Sequence, residues 1–145
     1  MSLESINAIQ DEIVEEFEIL GDDMESIIFY IMELGNQLPE LPEAYKVEEN
    51  IIKGCQSKVW LITEMKDGRI VFQADSNTEI TKGLISMLIR VLSGQKAEDI
   101  VKADLYFIEK IGMSRVIGSQ RSNGFSSMIR QMKLYAVAYQ AKSNT

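Results

Sequence analysis

The only cysteine of this 145-residue chain, Cys55, lies in the polar run KGCQSKVW between Lys53 and Trp60. The glycine before it suits a tight turn, and an alternating pattern typical of a β-strand follows it. Lys53 and Lys58 flank the thiol, and nearby positive charge favours the thiolate, which is the nucleophilic form of cysteine. The sequence therefore predicts a reactive thiol in a loop. The alternative is a small buried hydrophobic residue, which is the commoner state of a single cysteine.

The remaining composition restricts the chemistry that this thiol can perform. The chain contains no histidine, which excludes Ser/His/Asp and Cys/His catalysis and the usual zinc sites. With one cysteine there is no internal disulfide, and there is no second thiol to resolve the first, as a thiol redox enzyme requires. A single thiolate can still attack an enzyme-bound persulfide, accept its sulfur and pass it on.

The charge balance and the hydropathy of the chain limit its partners. Fifteen basic and 22 acidic residues give a net charge of -7, which is the wrong sign for a protein that binds nucleic acid. No apolar run approaches the roughly 18 residues of a membrane-spanning helix, and the N-terminus lacks a signal-peptide pattern. We expect a cytoplasmic protein with one domain over residues 1–145, acting on proteins or small molecules rather than on nucleic acid or a membrane.

The first half of the chain should fold into two helices followed by a β-hairpin. Apolar residues at three- and four-residue spacing predict amphipathic helices that end at Gly21 and near Gly35 and form a helical hairpin, with Asp22 capping the second. The prolines of LPELPE predict an extended connector, and a short strand is expected around residues 47–52. The dipeptide Asp67-Gly68 predicts the turn of an antiparallel hairpin.

The second half should be mainly helical. A capping box at Ser76 and Glu79 predicts the start of a largely buried helix that ends at Gly94, and two short helical pieces follow. We expect SQRSNG, residues 119–124, to form a polar loop in which Ser122 caps the final long helix. Helices, strands and helices in this order predict an α+β fold with a small antiparallel sheet of about three strands.

Four motifs occur in the order LGNQLPELPE, IIKGCQSKVW, FQADSNTEITKGL and SQRSNGFSSMIRQM. Together they resemble the SufE family of sulfur-acceptor proteins, which work with a cysteine desulfurase in iron–sulfur cluster assembly, and the resemblance covers nearly the whole chain. It implies a SufE/NifU-like fold in which Cys55 is the persulfide acceptor at the tip of a loop between two strands. It also implies that the thiol is sheltered at rest and extends on docking.

Further site residues follow from the same resemblance. Arg121 should precede a helix N-terminus, where its guanidinium and the helix dipole would stabilise a thiolate or persulfide anion or dock the partner; alternatively it is an exposed arginine without a role. Gly83 is expected to allow close packing beneath the cysteine loop, residues 53–58. The other positions that match as support of that loop are Gly54, Gln56, Ser57, Lys58, Asp75 and Ser76, although helix capping alone would also explain Asp75 and Ser76.

The resemblance implies a sulfur carrier. Cys55 would take persulfide sulfur from a SufS-like cysteine desulfurase, stimulate that enzyme and pass the sulfur to a SufBCD-like scaffold. Such a chain is an accessory protein rather than a stand-alone enzyme, and it holds no metal or cofactor, because pyridoxal phosphate belongs to the desulfurase. Two alternatives remain. One is a non-catalytic interaction module that binds through its acidic first helix, with a structural Cys55. The other is a peroxidase-like thiol enzyme, which the absence of a resolving cysteine disfavours.

Overall fold

Helices precede and follow a single β-hairpin in the computed structural model, which describes residues 3–143. The α+β class predicted from the sequence is therefore confirmed. None of the described helices is both long enough and apolar enough to span a membrane. The elements are α1 (Leu3–Leu20), α2 (Met24–Asn36), two 3-10 turns (Glu43–Tyr45 and Glu48–Asn50), β1 (Val59–Lys66), β2 (Arg69–Ser76), α3 (Glu79–Leu92), α4 (Ala97–Lys102), α5 (Phe107–Lys110) and α6 (Met113–Ser143).

The β-hairpin has the predicted turn and register. β1 and β2 pair antiparallel from Val59 opposite Ser76 to Lys66 opposite Arg69. Asp67 and Gly68 both have positive φ angles, 54° and 78°, which is the backbone conformation that a two-residue hairpin turn requires. One face of the hairpin is buried in the core; its buried side chains are Val59, Leu61, Ile70, Phe72 and Ala74.

The strand predicted around residues 47–52 is wrong. Glu48–Asn50 forms a 3-10 turn, and within the described residues the sheet has two strands. The turn uses the N–H groups of Asn50 and Ile51, which donate to Val47 O and Glu48 O. Because these donors are satisfied locally, only a single β-bridge remains, between Ile51 and Trp60.

An ion pair fastens the first three helices to one another. Arg90 on α3 donates to both carboxylate oxygens of Glu16 on α1, at 2.9 and 2.6 Å. Tyr30 on α2 donates to Glu16 Oε1 at 2.5 Å, and its ring meets the Phe17 ring edge-on. The helical hairpin predicted from the sequence is therefore present, and Arg90 binds it to α3.

Close backbone contact between α2 and α3 depends on two glycines. A Cβ added to Gly83 would collide with the Ile31 carbonyl oxygen, and one added to Gly35 would lie 2.7 Å from Gly83 N. The expectation that Gly83 packs beneath the cysteine loop is therefore wrong: its close neighbour is α2. Around this contact α3 is buried on most sides, as predicted; its buried side chains are Thr81, Leu84, Ile85, Met87, Leu88, Val91 and Leu92.

Two of the three predicted helix caps are displaced along the chain. The N-cap of α2 is Asp23 rather than Asp22, and Ser26 Oγ donates to Asp23 Oδ2 at 2.5 Å. The N-cap of α3 is Thr78 rather than Ser76. Ser76 cannot cap α3, because it still belongs to β2, and its hydroxyl donates instead to the Lys58 carbonyl oxygen at 2.8 Å.

The polar segment SQRSNG is helical, so the predicted loop is wrong. The break lies earlier, at Gly118, whose φ of 81° and ψ of 170° kink α6. Ser122 is consequently inside the helix and does not cap it, and its buried hydroxyl has no hydrogen-bond partner among the described residues. Tertiary packing overrides the local turn signals here, because Gly124 and Phe125 face inward and are buried.

Substituting Gly83 by alanine tests the α2–α3 contact. We expect Gly83→Ala to lower the free energy of unfolding by about 2–3 kcal/mol, because its methyl group must displace backbone atoms of α2. Chemical denaturation followed by circular dichroism measures this change. The matched control is Gly124→Ala in α6, where the new Cβ would lie 3.5 Å from its nearest neighbour atom, Cys55 Sγ. We expect the control to stay within about 1 kcal/mol of wild type; equal stabilities would contradict the packing argument.

Candidate functional site

The cysteine loop, residues 53–58, joins two backbone positions that already lie side by side. Ile52 N–H donates to the Val59 carbonyl oxygen at 2.8 Å, so the segment between them must turn back on itself. Gly54 provides this turn with a φ of 95°, a conformation that favours glycine. Cys55 follows at the tip, half-buried, with its side chain directed toward α6.

α6 forms the wall against which the tip of the loop rests. The Cys55 thiol donates to the Gly124 carbonyl oxygen, with 3.4 Å between Sγ and O. A Cβ on Gly124 would lie 3.5 Å from Sγ, and a Cβ on Gly54 would lie 2.5 Å from Ser127 Oγ. Small residues on both partners therefore bring the loop backbone and the helix into direct contact.

The downstream end of the loop is fastened to the connection between β2 and α3. Side-chain hydroxyls and one amide make most of these bonds, so the attachment is specific to this sequence. The bonds join Ser57 Oγ and Thr78 Oγ1 at 3.0 Å, Thr81 Oγ1 and Ser57 Oγ at 3.2 Å, Lys58 N and Asn77 Oδ1 at 3.0 Å, Asn77 N and Lys58 O at 3.2 Å, and Ser76 Oγ and Lys58 O at 2.8 Å.

A buried carboxylate anchors this connection to the rest of the molecule. Asp75 is 2% exposed and accepts hydrogen bonds from the N–H groups of Leu41 and Ser76, at 3.1 and 2.8 Å. Lys46 and Lys82 place their ammonium groups 3.3 and 3.4 Å from its oxygens. Burial alone would raise the pKa of Asp75, but the two N–H groups and the two cations outweigh it and hold that pKa below its ordinary value.

A cavity of about 100 Å³ lies beside the thiol. One part of its lining is polar and includes Arg121, and the other is apolar. The polar residues are Gln56, Ser57, Thr78, Thr81, Gln120 and Arg121, and the apolar ones are Ile80, Leu84 and Met128. The cavity is larger than the roughly 30 Å³ that one water molecule occupies in the liquid, so a small group attached to Sγ fits inside it.

The electrostatics of the resting thiol differ from the sequence-based expectation. Lys53 and Lys58 were predicted to favour the thiolate, but both side chains are exposed to solvent. Burial raises the pKa of the Cys55 thiol, and no neighbouring charge within residues 3–143 offsets that effect. The resting cysteine is therefore a neutral, sheltered thiol that donates a hydrogen bond.

Arg121 lies at the edge of the cavity and not before a helix. It falls in the first turn after the Gly118 kink, inside α6, and its side chain is exposed. The guanidinium forms no ion pair with any carboxylate of residues 3–143. Arg121 and Cys55 line the same cavity, whereas the secondary structure predicted for Arg121, a loop before the helix, is wrong.

Sequence reasoning missed several residues that hold the cysteine loop. Gly124 and Ser127 form the wall of α6, and Asn77, Thr78 and Thr81 bind the downstream end of the loop. The available signal was the three-residue spacing of two small residues, which places Gly124 and Ser127 on one face of a helix. This spacing could not be used, because residues 119–124, and so Gly124 itself, were predicted to form a loop.

The chain is similar in sequence and fold to known proteins. The SufE family model, described as the Fe-S metabolism associated domain, matches residues 11–136. An uncharacterized SufE-like protein of Rhizobium meliloti is 38% identical over 85% of this chain and 91% of its own length. Another, from Synechocystis, is 32% identical over 89% of this chain and 80% of its own. The solution structure of a hypothetical protein from Thermus thermophilus shares the fold, with a TM-score of 0.74 and 15% identity over 92% of this chain and 96% of that one.

The ionisation of Cys55 tests the description of the resting thiol. We expect it to ionise with a midpoint above the ordinary cysteine pKa of about 8.5, because burial disfavours the thiolate. Thiolate ultraviolet absorbance measures the titration, and subtracting the same titration of Cys55→Ser removes the signal of the five tyrosines. In urea the midpoint should return to the ordinary value. A native midpoint below that value would contradict a desolvated resting thiol.

The pH dependence of stability tests the role of Asp75. We expect Asp75→Asn to lower the free energy of unfolding at pH 7 by about 2 kcal/mol, because the neutral amide loses charge-assisted hydrogen bonds. The folded pKa of Asp75 lies below its unfolded value, so its contribution is present above about pH 4 and is lost as the pH falls through the folded pKa. Denaturation of both proteins between about pH 7 and pH 3 should show the difference shrinking toward acid; a constant difference would indicate a purely steric effect.

Proposed function

We propose, since the chain belongs to the SufE family of Fe-S metabolism associated domains, that it carries sulfur as a persulfide on Cys55. The observation that carries this proposal is the position of the thiol. The chain's only cysteine lies at the tip of a loop, half-buried, beside a cavity of about 100 Å³ that has room for one added sulfur atom.

The transfer requires one bond exchange and no external oxidant. The Cys55 thiolate attacks the terminal sulfur of a persulfide on the donor's cysteine, and a new sulfur–sulfur bond forms as the donor's own bond breaks. The electron pair of the broken bond leaves on the donor thiolate, which takes up the proton that Cys55 has lost. The products are a persulfide on Cys55 and a free thiol on the donor.

The cavity suits the product of this exchange. The Gln120 amide offers a hydrogen-bond donor to a persulfide anion, and the exposed Arg121 places a positive charge at the edge of the cavity. Ile80, Leu84 and Met128 form the apolar part of the lining and limit the access of water and of reductants. A persulfide placed there is therefore sheltered on its apolar side while the loop is at rest.

The loop combines a fixed end with a weakly held tip, as a carrier needs. Residues 53–56 make one hydrogen bond in the described structure, from the Cys55 thiol to Gly124, whereas Ser57 and Lys58 are held by the bonds to the β2–α3 connection. Because sulfur-based hydrogen bonds are weak, the tip can leave α6 without disturbing the downstream end. Extension would also relieve the burial that keeps the thiol protonated.

The proposed partners follow from this chemistry. A SufS-like cysteine desulfurase, which holds pyridoxal phosphate, supplies the sulfur, and a SufBCD-like scaffold in the cytoplasm receives it. The chain acts as an accessory sulfurtransferase and holds no cofactor of its own. The alternative is an interaction module with a structural cysteine. It does not explain why a glycine turn presents the thiol or why a cavity lies beside it.

Sulfur loading of Cys55 is the direct test. After incubation with cysteine and a PLP-dependent cysteine desulfurase, we expect intact-protein mass spectrometry to show a gain of one sulfur atom that a reductant removes. Cys55→Ser is the matched control and should gain nothing while keeping the fold. Wild type should also raise desulfurase turnover, and the serine variant should not. A desulfurase that binds the chain but never loads it would sink the carrier proposal and favour the interaction module.

A further inference from the structure

Charge is distributed very unevenly along this acidic chain. Twelve of its 22 acidic residues and none of its 15 basic residues lie before Lys46. Residues 46–145, which include the cysteine loop, hold all 15 basic residues and the other 10 acidic ones, so their net charge is +5 although the whole chain carries -7. A partner that approaches this protein meets regions of opposite sign, and the sign at the cysteine loop differs from that of the molecule as a whole.

Four cations surround the cysteine loop, and we call them the basic rim: Lys53, Lys58, Arg121 and Arg130. The two lysines belong to the loop itself, and Arg121 lines the cavity beside the thiol. Arg130 lines a second cavity of about 370 Å³, which it shares with Lys53 and with Ser127, the residue that touches Gly54. All four side chains are exposed.

The basic rim is not used in ion pairs within the described part of the chain. No carboxylate of residues 3–143 pairs with any of its four residues, whereas Lys46, Lys82 and Arg90 are all paired. Nor do the rim cations lower the pKa of the Cys55 thiol, which burial raises. Two carboxylates lie close by, Glu49 in the second cavity and Glu79 at the start of α3, and they leave an excess of positive charge.

We propose that the basic rim docks the sulfur donor. This docking rests on the function proposed above. The desulfurase presents an acidic surface around its active-site entrance, and an acidic segment of it enters the second cavity, between Lys53 and Arg130. The acidic residues that precede Lys46 repel such a surface, so the encounter is steered to the orientation in which Cys55 faces the donor. The rim cations have no ion-pair partner among residues 3–143, so they are available to bind the carboxylates of the donor.

Reversal of charge on the rim tests this docking. The experiment uses stopped-flow fluorescence with the cysteine desulfurase of the source cell, and every variant carries Cys55→Ser so that no sulfur transfer follows association. Lys53→Glu with Arg130→Glu is the rim variant. Lys66→Glu with Lys102→Glu is the matched control, because both residues are exposed and the change in net charge is the same. Lys66 lies at the other end of β1, about 23 Å from Val59 at the usual rise per residue.

We expect the rim variant to associate about 10- to 100-fold more slowly at low salt, and the control to change less than about 2-fold. The difference should shrink as ionic strength rises from about 0.05 M to 1 M, because salt screens exposed charges. Lys53→Gln with Arg130→Gln removes the charge without reversing it and should show an intermediate loss. This second variant also keeps the test valid if the double reversal does not fold.

The other outcomes distinguish a failure of the docking proposal from a failure of the proposed function. Sulfur loading of the wild-type chain is measured in parallel by mass spectrometry. If wild type loads and both double variants associate equally fast or equally slowly, the rim inference is overturned and the carrier function stands. Faster association of the rim variant would show that the donor presents cations, which also overturns it. If wild type binds the desulfurase and never loads, the function fails and the docking inference fails with it.

Discussion

The arrangement of the cysteine site depends on one buried carboxylate. Asp75 holds the connector through Leu41 and Lys46, the end of β2 through Ser76, and α3 through Lys82. A charge out of water is tolerated only when donors surround it, so the segments that supply those donors must meet at this point. The connection from β2 to α3, which binds the downstream end of the cysteine loop, is thereby fixed.

A sheltered thiol and a reactive thiol require opposite environments. Burial against Gly124 protects Cys55 but raises its pKa, and the exposed lysines of the loop do not compensate. The tip of the loop rests on α6 through one weak hydrogen bond, whereas Ser57 and Lys58 are bound to the β2–α3 connection, so the proposed carrier would meet the two needs one after the other. Under the proposed function, the extended loop supplies the reactivity of the thiol and the resting loop supplies its protection.

Hydrophobic periodicity and turn chemistry predicted most of the fold. The helical hairpin, the Asp67-Gly68 turn, the buried α3 and the short helices after Gly94 follow from local patterns whose physical cause is local. Two predicted elements, the strand around residues 47–52 and the loop at residues 119–124, are absent from the structure. Glu48–Asn50 turned instead of extending, since its N–H groups were satisfied locally, and SQRSNG became helical once Gly118 supplied the break.

The sequence by itself determined the chemistry: one thiol, no histidine, and a glycine that turns the chain before Cys55. Its four motifs also indicated the family, because both the motifs and their order can be read directly from the sequence. Only the tertiary structure decided what surrounds the thiol. The Gly124 carbonyl lies 69 residues from Cys55, Leu41 lies 34 residues from Asp75, and Gly83 serves α2 rather than the loop. Contacts across such separations are set by the packing of whole helices, which no local pattern records.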